Sequence, residues 1–259
     1  MNKRRPDGSA GDADYGAIGE RYTSYRQPEP RIARLIEAAL GDARTVVNVG
    51  AGAGSYETAE RAVTPVEPSA VMRAQRPPGL PAAVDAVAER LPFEDGAFDA
   101  AMATFSVHQW GDFRAGLREM RRVARGPVLL LTADPALVRN FWLYAYAPLV
   151  LDTEARRYPA VADLADALGG LVDVTPVPIP FDCVDGFNEA YYGRPERLLD
   201  PGARQANSAW SFVDAATRER YAEALRAAVA TGEWDERYGE LRHRPFYEGS
   251  LVLVRGLPG

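Results

Sequence analysis

Hydrophobic positions along the chain alternate between two periods. Residues 31–40 set Ile32, Leu35, Ile36 and Ala39 on one face at helical spacing, behind a Pro28/Pro30 pair that suits a helix entry. Residues 45–49 (TVVNV) are a short β-branched run and predict a strand. Further strands are expected over 64–68, 82–87, 98–104 and 128–132, with a helical stretch over 55–62 between the first two. From Phe113, apolar residues recur at Leu117, Met120 and Val123/Ala124, and Arg121, Arg122 and Arg125 gather near the C-terminal end, where cations suit the helix dipole. Beyond residue 134 the pattern loosens into helices near 137–149, 161–168 and 215–229 and strands over 171–177 and 251–254. Continuous apolar runs suit strands covered on both faces, and strand–helix alternation predicts parallel pairing. The expected fold is α/β: a doubly wound, mostly parallel seven-stranded sheet with helical insertions in its C-terminal half.

Composition narrows the chemistry. The chain has 259 residues and a net charge of −6. That length supports a sizeable core, and the acidic balance argues against nucleic acid as an obligate partner. Lys3 is the single lysine and lies in a polar stretch, so Schiff-base chemistry and lysine-dependent phosphate loops lack a residue. A single Cys183 excludes disulfide frameworks and cysteine zinc clusters, and the two histidines, His108 and His243, are too far apart for a paired-histidine helix motif; no metal site is expected. The apolar run 141–151 is shorter than the ~20 residues of a membrane-spanning helix and contains Pro148. With no secretory pattern at residues 1–14, which read as a disordered tail, a cytoplasmic protein without a membrane partner is expected. Residues 15–259 are expected to form one domain, 15–134 as a cofactor-binding core and about 135–249 bearing insertions on the acceptor side.

The strongest local signal is the first strand running into Gly50-Ala51-Gly52-Ala53-Gly54, followed by a second strand that closes on Glu67. Glycines let backbone approach a ligand, a helix opening there offers free amides, and an acidic residue after the second strand can accept both hydroxyls of a ribose. A nucleoside-containing cofactor is implied. Ser55 occupies the third glycine position of the dinucleotide fingerprint G-x-G-x-x-G, which disfavours a nicotinamide oxidoreductase. The bland alternative is a glycine-rich turn that holds no ligand.

The segments VVNVGAGAGSYE, VEPSAVM, AERLPFEDGAFDAAMATFSVHQW and GLREMRRVARGPVLLLT, in that order, resemble the class I S-adenosylmethionine-dependent methyltransferases, in particular the ubiquinone/menaquinone-type subgroup acting on small molecules. The resemblance spans residues 15–134 and is generic thereafter. It implies a Rossmann-like fold and S-adenosylmethionine as cofactor. Gly50, Ala51, Gly52 and Gly54 would cradle its methionine and sugar, Glu67, with Pro68 beside it, would hold the ribose hydroxyls, and Met72 would lie against adenine. Ala88 and Glu89 would sit at the adenine edge, and Thr104, Phe105 and Ser106 would pass beneath the sulfonium. Tyr15, Tyr22, Tyr25 and Arg26 resemble the family's N-terminal lid, with Tyr22 closing over the cofactor and Arg26 approaching its carboxylate; packing on the sheet edge is the alternative. Two departures stand out. Asn48 replaces a frequent acidic residue near the cofactor's amino group, and Val87 replaces a frequent Asp, leaving an adenine contact to Glu89.

Methyl transfer is an in-line displacement in which the protein aligns a nucleophile, excludes water and, for some acceptors, removes a proton. His108, just past the strand over 98–104, is the candidate general base or substrate-positioning residue; a histidine that packs the loop is the alternative. His243, between Arg242 and Arg244, reads as surface, and Cys183 as a small buried apolar residue. Trp110 packs the same loop as His108 or reaches the acceptor. Aromatics concentrate after residue 140, and Trp142, Tyr191 and Tyr192 are candidates to line a pocket for a flat acceptor, with core packing as the alternative. The activity expected is methylation of a small molecule, suggestive of specialised metabolism from the arginine-rich, alanine- and proline-rich composition of a GC-rich genome. The rivals are a methyltransferase on a macromolecule and a cofactor-binding partner subunit or sensor without transfer activity.

Overall fold

The computed structural model describes residues 22–259; the 1–14 tail and Tyr15 lie outside the described residues. A short helix α1 (Tyr22–Tyr25) leads to α2 (Pro30–Leu40), which starts with proline in its first turn and with the Glu29 carboxylate accepting the Arg31 amide. Strands β1 (Thr45–Val49), β2 (Ala62–Val66), β3 (Ala100–Thr104) and β4 (Val128–Ala133) follow, with α3 (Ala70–Ala74) and α4 (Phe113–Val123) between them. The second half holds α5 (Pro148–Arg157), α6 (Val161–Leu168), edge strand β5 (Leu171–Pro176), the two-residue strands β6 (Ile179–Pro180) and β7 (Phe246–Tyr247), and β8 (Leu251–Leu257). Between β6 and β7 lie several 3₁₀ turns, α7 (Pro201–Gln205), α8 (Ala215–Thr231) and α9 (Glu233–Tyr238).

The main sheet has the order β2-β1-β3-β4-β8-β5. Neighbours from β2 to β4 pair in parallel, and β8 runs antiparallel to both β4 and β5. Successive side chains point to opposite faces, and both faces are covered. Val46, Met102, Leu129 and Leu131 pack with Ile32 and Ile36 of α2, whereas Val47, Ala101, Val128 and Leu130 pack with Leu117 and Met120 of α4 and Leu164 and Leu168 of α6. This two-sided burial is why the strands read as unbroken apolar runs.

The sheet has six strands, not the seven expected, and the missing one is 82–87. Only Val84 pairs with the edge, as a single parallel bridge to Val66, its amide donating to Pro65 O and its carbonyl accepting from the Glu67 amide. The next ladder rung back would need an N–H from Pro65, which proline lacks, so pairing stops. The expected helix over 55–62 is instead a run of turns. Twelve or so residues must link two parallel strands, and positive φ at Gly50, Gly52, Gly54 and Tyr56 spends that span on a tight loop. The helix expected over 137–149 divides into 3₁₀ turns at Val138–Asn140 and Trp142–Ala145, with Pro148 opening α5 as its first residue. No helix among the described residues is long and apolar enough to cross a membrane.

Candidate active site

A cleft of ≈ 830 Å³ opens at the C-terminal ends of β1, β2 and β3, where open α/β sheets bind ligands. Its floor is the loop after β1. Gly50 (φ +72°) sits so close to the next strand that a Cβ there would fall 2.5 Å from Ser106 Cβ, and Gly52 (φ +53°) faces the Met72 Cε. Ser106 Oγ donates to Val49 O at 2.8 Å and ties the end of β3 to β1. Glu67, 6 % exposed, is aimed by two backbone amides: Gly52 N donates to Oε2 and Ser69 N to Oε1, each at 2.8 Å. Burial pushes its carboxyl above the ordinary value, although the two amide bonds oppose that shift. The remaining lone pairs of a fixed carboxylate suit a pair of neighbouring hydroxyls.

The roof comes from remote parts of the chain. Arg26 Nε donates to Asp185 Oδ1 at 2.5 Å, and Tyr56, at φ +62°, donates its hydroxyl to Asp185 Oδ2 at 2.9 Å. The Arg26 guanidinium lies 4.9 Å from the centroid of Phe105, itself at φ +53°. The two non-glycine residues at positive φ among the described residues therefore belong to one cluster beside the cleft, as strained backbone often does at functional sites. Gly186 N donates to Tyr25 O, which straps the segment after α1 onto the later half of the chain.

A second cleft, of ≈ 700 Å³, adjoins the first and shares Arg26, Phe105 and Gln109 with it. His108 lines it from the 3₁₀ turn Val107–Gln109, its ring 4.4 Å from that of Tyr158. Desolvation first, then the positive charges of Arg157 and Arg26, hold the imidazole well below its usual titration range, so it is neutral at pH 7. Opposite stand Glu154, from α5, and Asn188 and Glu189, from a 3₁₀ turn. Burial pushes Glu189 up to about 7, with the nearby Glu154 charge adding to the shift.

Residues 47–130 match the methyltransferase domain family. The whole architecture is similar to a crystal structure from Anabaena variabilis described as "Putative methyltransferase from antibiotic biosynthesis pathway", with a TM-score of 0.83, 28% identity, and 90% of this chain and 98% of that one covered. Residues 47–130 are a methyltransferase domain, and the fold around them is that of an S-adenosylmethionine-dependent methyltransferase. A malonyl-[acyl-carrier protein] O-methyltransferase from Pseudescherichia vulneris is 28% identical over 183 residues, 66% of this chain and 72% of that protein. A demethylmenaquinone methyltransferase from Mycolicibacterium gilvum is 58% identical over 38 residues, 15% of this chain and 17% of that protein. The chain matches less than two thirds of the length of the first curated relatives, 36% of one and 17% of the other.

The first cleft fits the methyltransferase cofactor by its donor set: a fixed carboxylate, a close-approach glycine floor and apolar walls. Gly50, Ala51, Gly52, Glu67, Pro68 and Met72 line it, as do Ala88, Glu89, Thr104, Phe105, Ser106 and Arg26. Several expected site residues lie elsewhere. Asn48 is fully buried in β1 and donates from Nδ2 to Glu57 Oε1 at 3.0 Å, so it props the loop from behind; Arg76 closes the same Glu57 with a 2.6 Å ion pair. Gly54 packs toward Leu80 rather than the cleft. The Tyr22 side chain lies outside the described residues. Trp110, expected to pack the His108 loop or to reach the acceptor, lines the first cleft and rests on Gly116 of α4.

Trp142, Tyr191 and Tyr192 line neither of these two clefts. All three are in the hydrophobic core: Trp142 Nε1 donates to Tyr192 O at 2.8 Å, and the Tyr192 hydroxyl donates to Arg244 O. Large rings in an insertion with few long helices are what fills its interior. Sequence reasoning missed Asp185 and Gln109 in the first cleft, and Glu154, Asn188 and Glu189 in the second. Gln109 was within reach as the neighbour of His108. The others carry no local motif.

Proposed function

We propose that this chain methylates a small-molecule acceptor seated in the second cleft, in a pathway of specialised metabolism. The observation that carries this reading is the junction of the two clefts at Arg26, Phe105 and Gln109, which lets an acceptor in one reach a cofactor in the other. The Anabaena variabilis relative, described by its antibiotic biosynthesis pathway, supports the metabolic setting. Gly50, Gly52, Glu67 and Met72 would hold the cofactor, which supplies an electrophilic methyl group on a sulfonium. The Arg26–Asp185–Tyr56 cluster would roof the junction, and Phe105 lines both compartments where they meet. His108 offers a neutral imidazole whose buried Nδ1 has no partner among the described residues. Gaining a full proton there is opposed by burial and by Arg157 and Arg26, so His108 orients the acceptor through a hydrogen bond rather than serving as a strong base.

Isothermal titration with S-adenosylhomocysteine, beside NADH as control, tests the cofactor half. Micromolar binding of the first alone is expected; binding of NADH alone, or of neither, refutes it. Release of S-adenosylhomocysteine over an acceptor panel tests the rest. With a productive acceptor, His108→Ala should lower kcat/KM about tenfold, the scale of one lost hydrogen bond, not the 10²–10⁴-fold typical of a lost general base. A loss in that larger range would restore His108 as the base.

A further inference from the structure

The polar groups of the second cleft are unequally occupied. Three of its donors are engaged: Arg26 with Asp185, Arg157 with Ser208 Oγ and the Phe212 ring, and Asn207 Nδ2 with Gly186 O and Ala203 O. Of its carboxylates, Glu189 turns both oxygens to the Ser250 amide. Glu154 differs, because Asn188 Nδ2 donates to its Oε2 at 2.8 Å and no donor among the described residues meets Oε1. Gln109, 9 % exposed and lining the same cleft, likewise has an Oε1 without a partner, as does the His108 Nδ1.

The Glu154 carboxylate is also built into one orientation. Trp210 Nε1 donates to Asn188 Oδ1 at 3.1 Å, and an indole N–H can only donate, so the amide is held with its Nδ2 toward Glu154. Asn188 and Trp210 are 1 % and 2 % exposed, which keeps this relay dry and rigid. The buried Gln109 Oε1 and His108 Nδ1, left unpaired among the described residues, are costly unless a ligand completes them, and Glu154 Oε1 faces the same cleft.

Resting on the methyltransferase reading above, we propose that Glu154 is a specificity-determining residue of the acceptor cleft and that it selects a hydroxyl or amine nucleophile, whose O–H or N–H donates to Glu154 Oε1. A carboxylate nucleophile has no hydrogen to give Oε1 and brings its negative charge against that of Glu154. Asn188 and Trp210 are positioning residues for this contact.

Three probes sharing one ring, phenol, benzylamine and benzoate, are titrated into the full chain with and without saturating S-adenosylhomocysteine. Phenol and benzylamine should each bind at least about tenfold more tightly than benzoate, the effect of one charge-assisted hydrogen bond. Glu154→Gln should erase that preference and leave S-adenosylhomocysteine affinity unchanged, and Glu154→Asp should restore part of it. Trp210→Phe, which frees the Asn188 amide to turn, should narrow the preference with Glu154 still present; a purely structural role would weaken all three probes alike. Equal or tighter binding of benzoate, no binding of phenol or benzylamine, or an unchanged preference in Glu154→Gln overturns the proposal. Failure of S-adenosylhomocysteine to bind would overturn the methyltransferase reading instead, and the probe comparison without it remains readable.

Discussion

Glu67→Ala removes the carboxylate that the first cleft is built around. The side chain is 6 % exposed, and both its oxygens are fixed by backbone amides at 2.8 Å, so solvent screens it little and it has no freedom to adapt. Each hydrogen bond from a ligand hydroxyl to such a charge is worth about 1.5–3 kcal/mol. Losing one therefore weakens S-adenosylhomocysteine about tenfold to 150-fold, and losing two weakens it further. The truncation also frees the Gly52 and Ser69 amides, so a drop in melting temperature of a few degrees is expected, at about 2–4 °C per kcal/mol for a domain near this size. Titration calorimetry on the wild type and the variant, with thermal melts beside it, measures both. The carboxyl also titrates above its ordinary 4.5 because burial disfavours its charged form. Wild-type affinity should accordingly fall on acidification, starting at a higher pH than an ordinary carboxylate would give, and Glu67→Gln should be weak and nearly flat with pH. A change in Kd of less than twofold on removing the carboxylate, in a variant that melts like wild type, would refute the assignment of Glu67 to the ligand.

Further expectations concern the scaffold around both clefts. Gly50→Ala places a methyl against Ser106 at a positive φ, and should both lower the melting temperature and abolish S-adenosylhomocysteine binding measured by calorimetry. Asp185→Ala removes one partner of Arg26 and the acceptor of the Tyr56 hydroxyl; breaking a buried pair costs about 3–5 kcal/mol, and a double-mutant cycle with Arg26→Ala should show strong coupling. Additive effects would mean the pair holds nothing in place. Glu189 takes up a proton on folding, since burial raises it from 4.5 to about 7. Its contribution to stability is full below 4.5 and is lost as pH rises through 7. Melts at pH 5.5 and 8 should differ less in Glu189→Gln than in wild type.

Wherever physics is local, the sequence was informative. The periodicity of Ile32 and Ile36 reports a buried helix face, TVVNV followed by glycines reports a strand that ends in a close-approach turn, and Glu67 stands where the chain leaves β2, so floor and anchor of the first cleft were legible together. Pro65 was equally visible, but its effect depends on which neighbour its missing N–H faces, and that is a property of the assembled sheet. Apolar character likewise predicts burial and not what a residue is buried against. Trp142, Tyr191 and Tyr192 could be read as pocket-lining or core rings and fill the core, whereas the second cleft draws on Glu154, Asn188 and Glu189, polar residues with no motif around them. Asp185 meets Arg26 and Tyr56 across long stretches of chain. The sequence by itself therefore determined the alternation of strands and helices and the carboxylate and glycines of the first cleft, because backbone conformation and hydrophobic period act between near neighbours. Only the tertiary structure decided the strand count, the roof and the polarity of the second cleft, because each depends on groups that come together after the chain has folded.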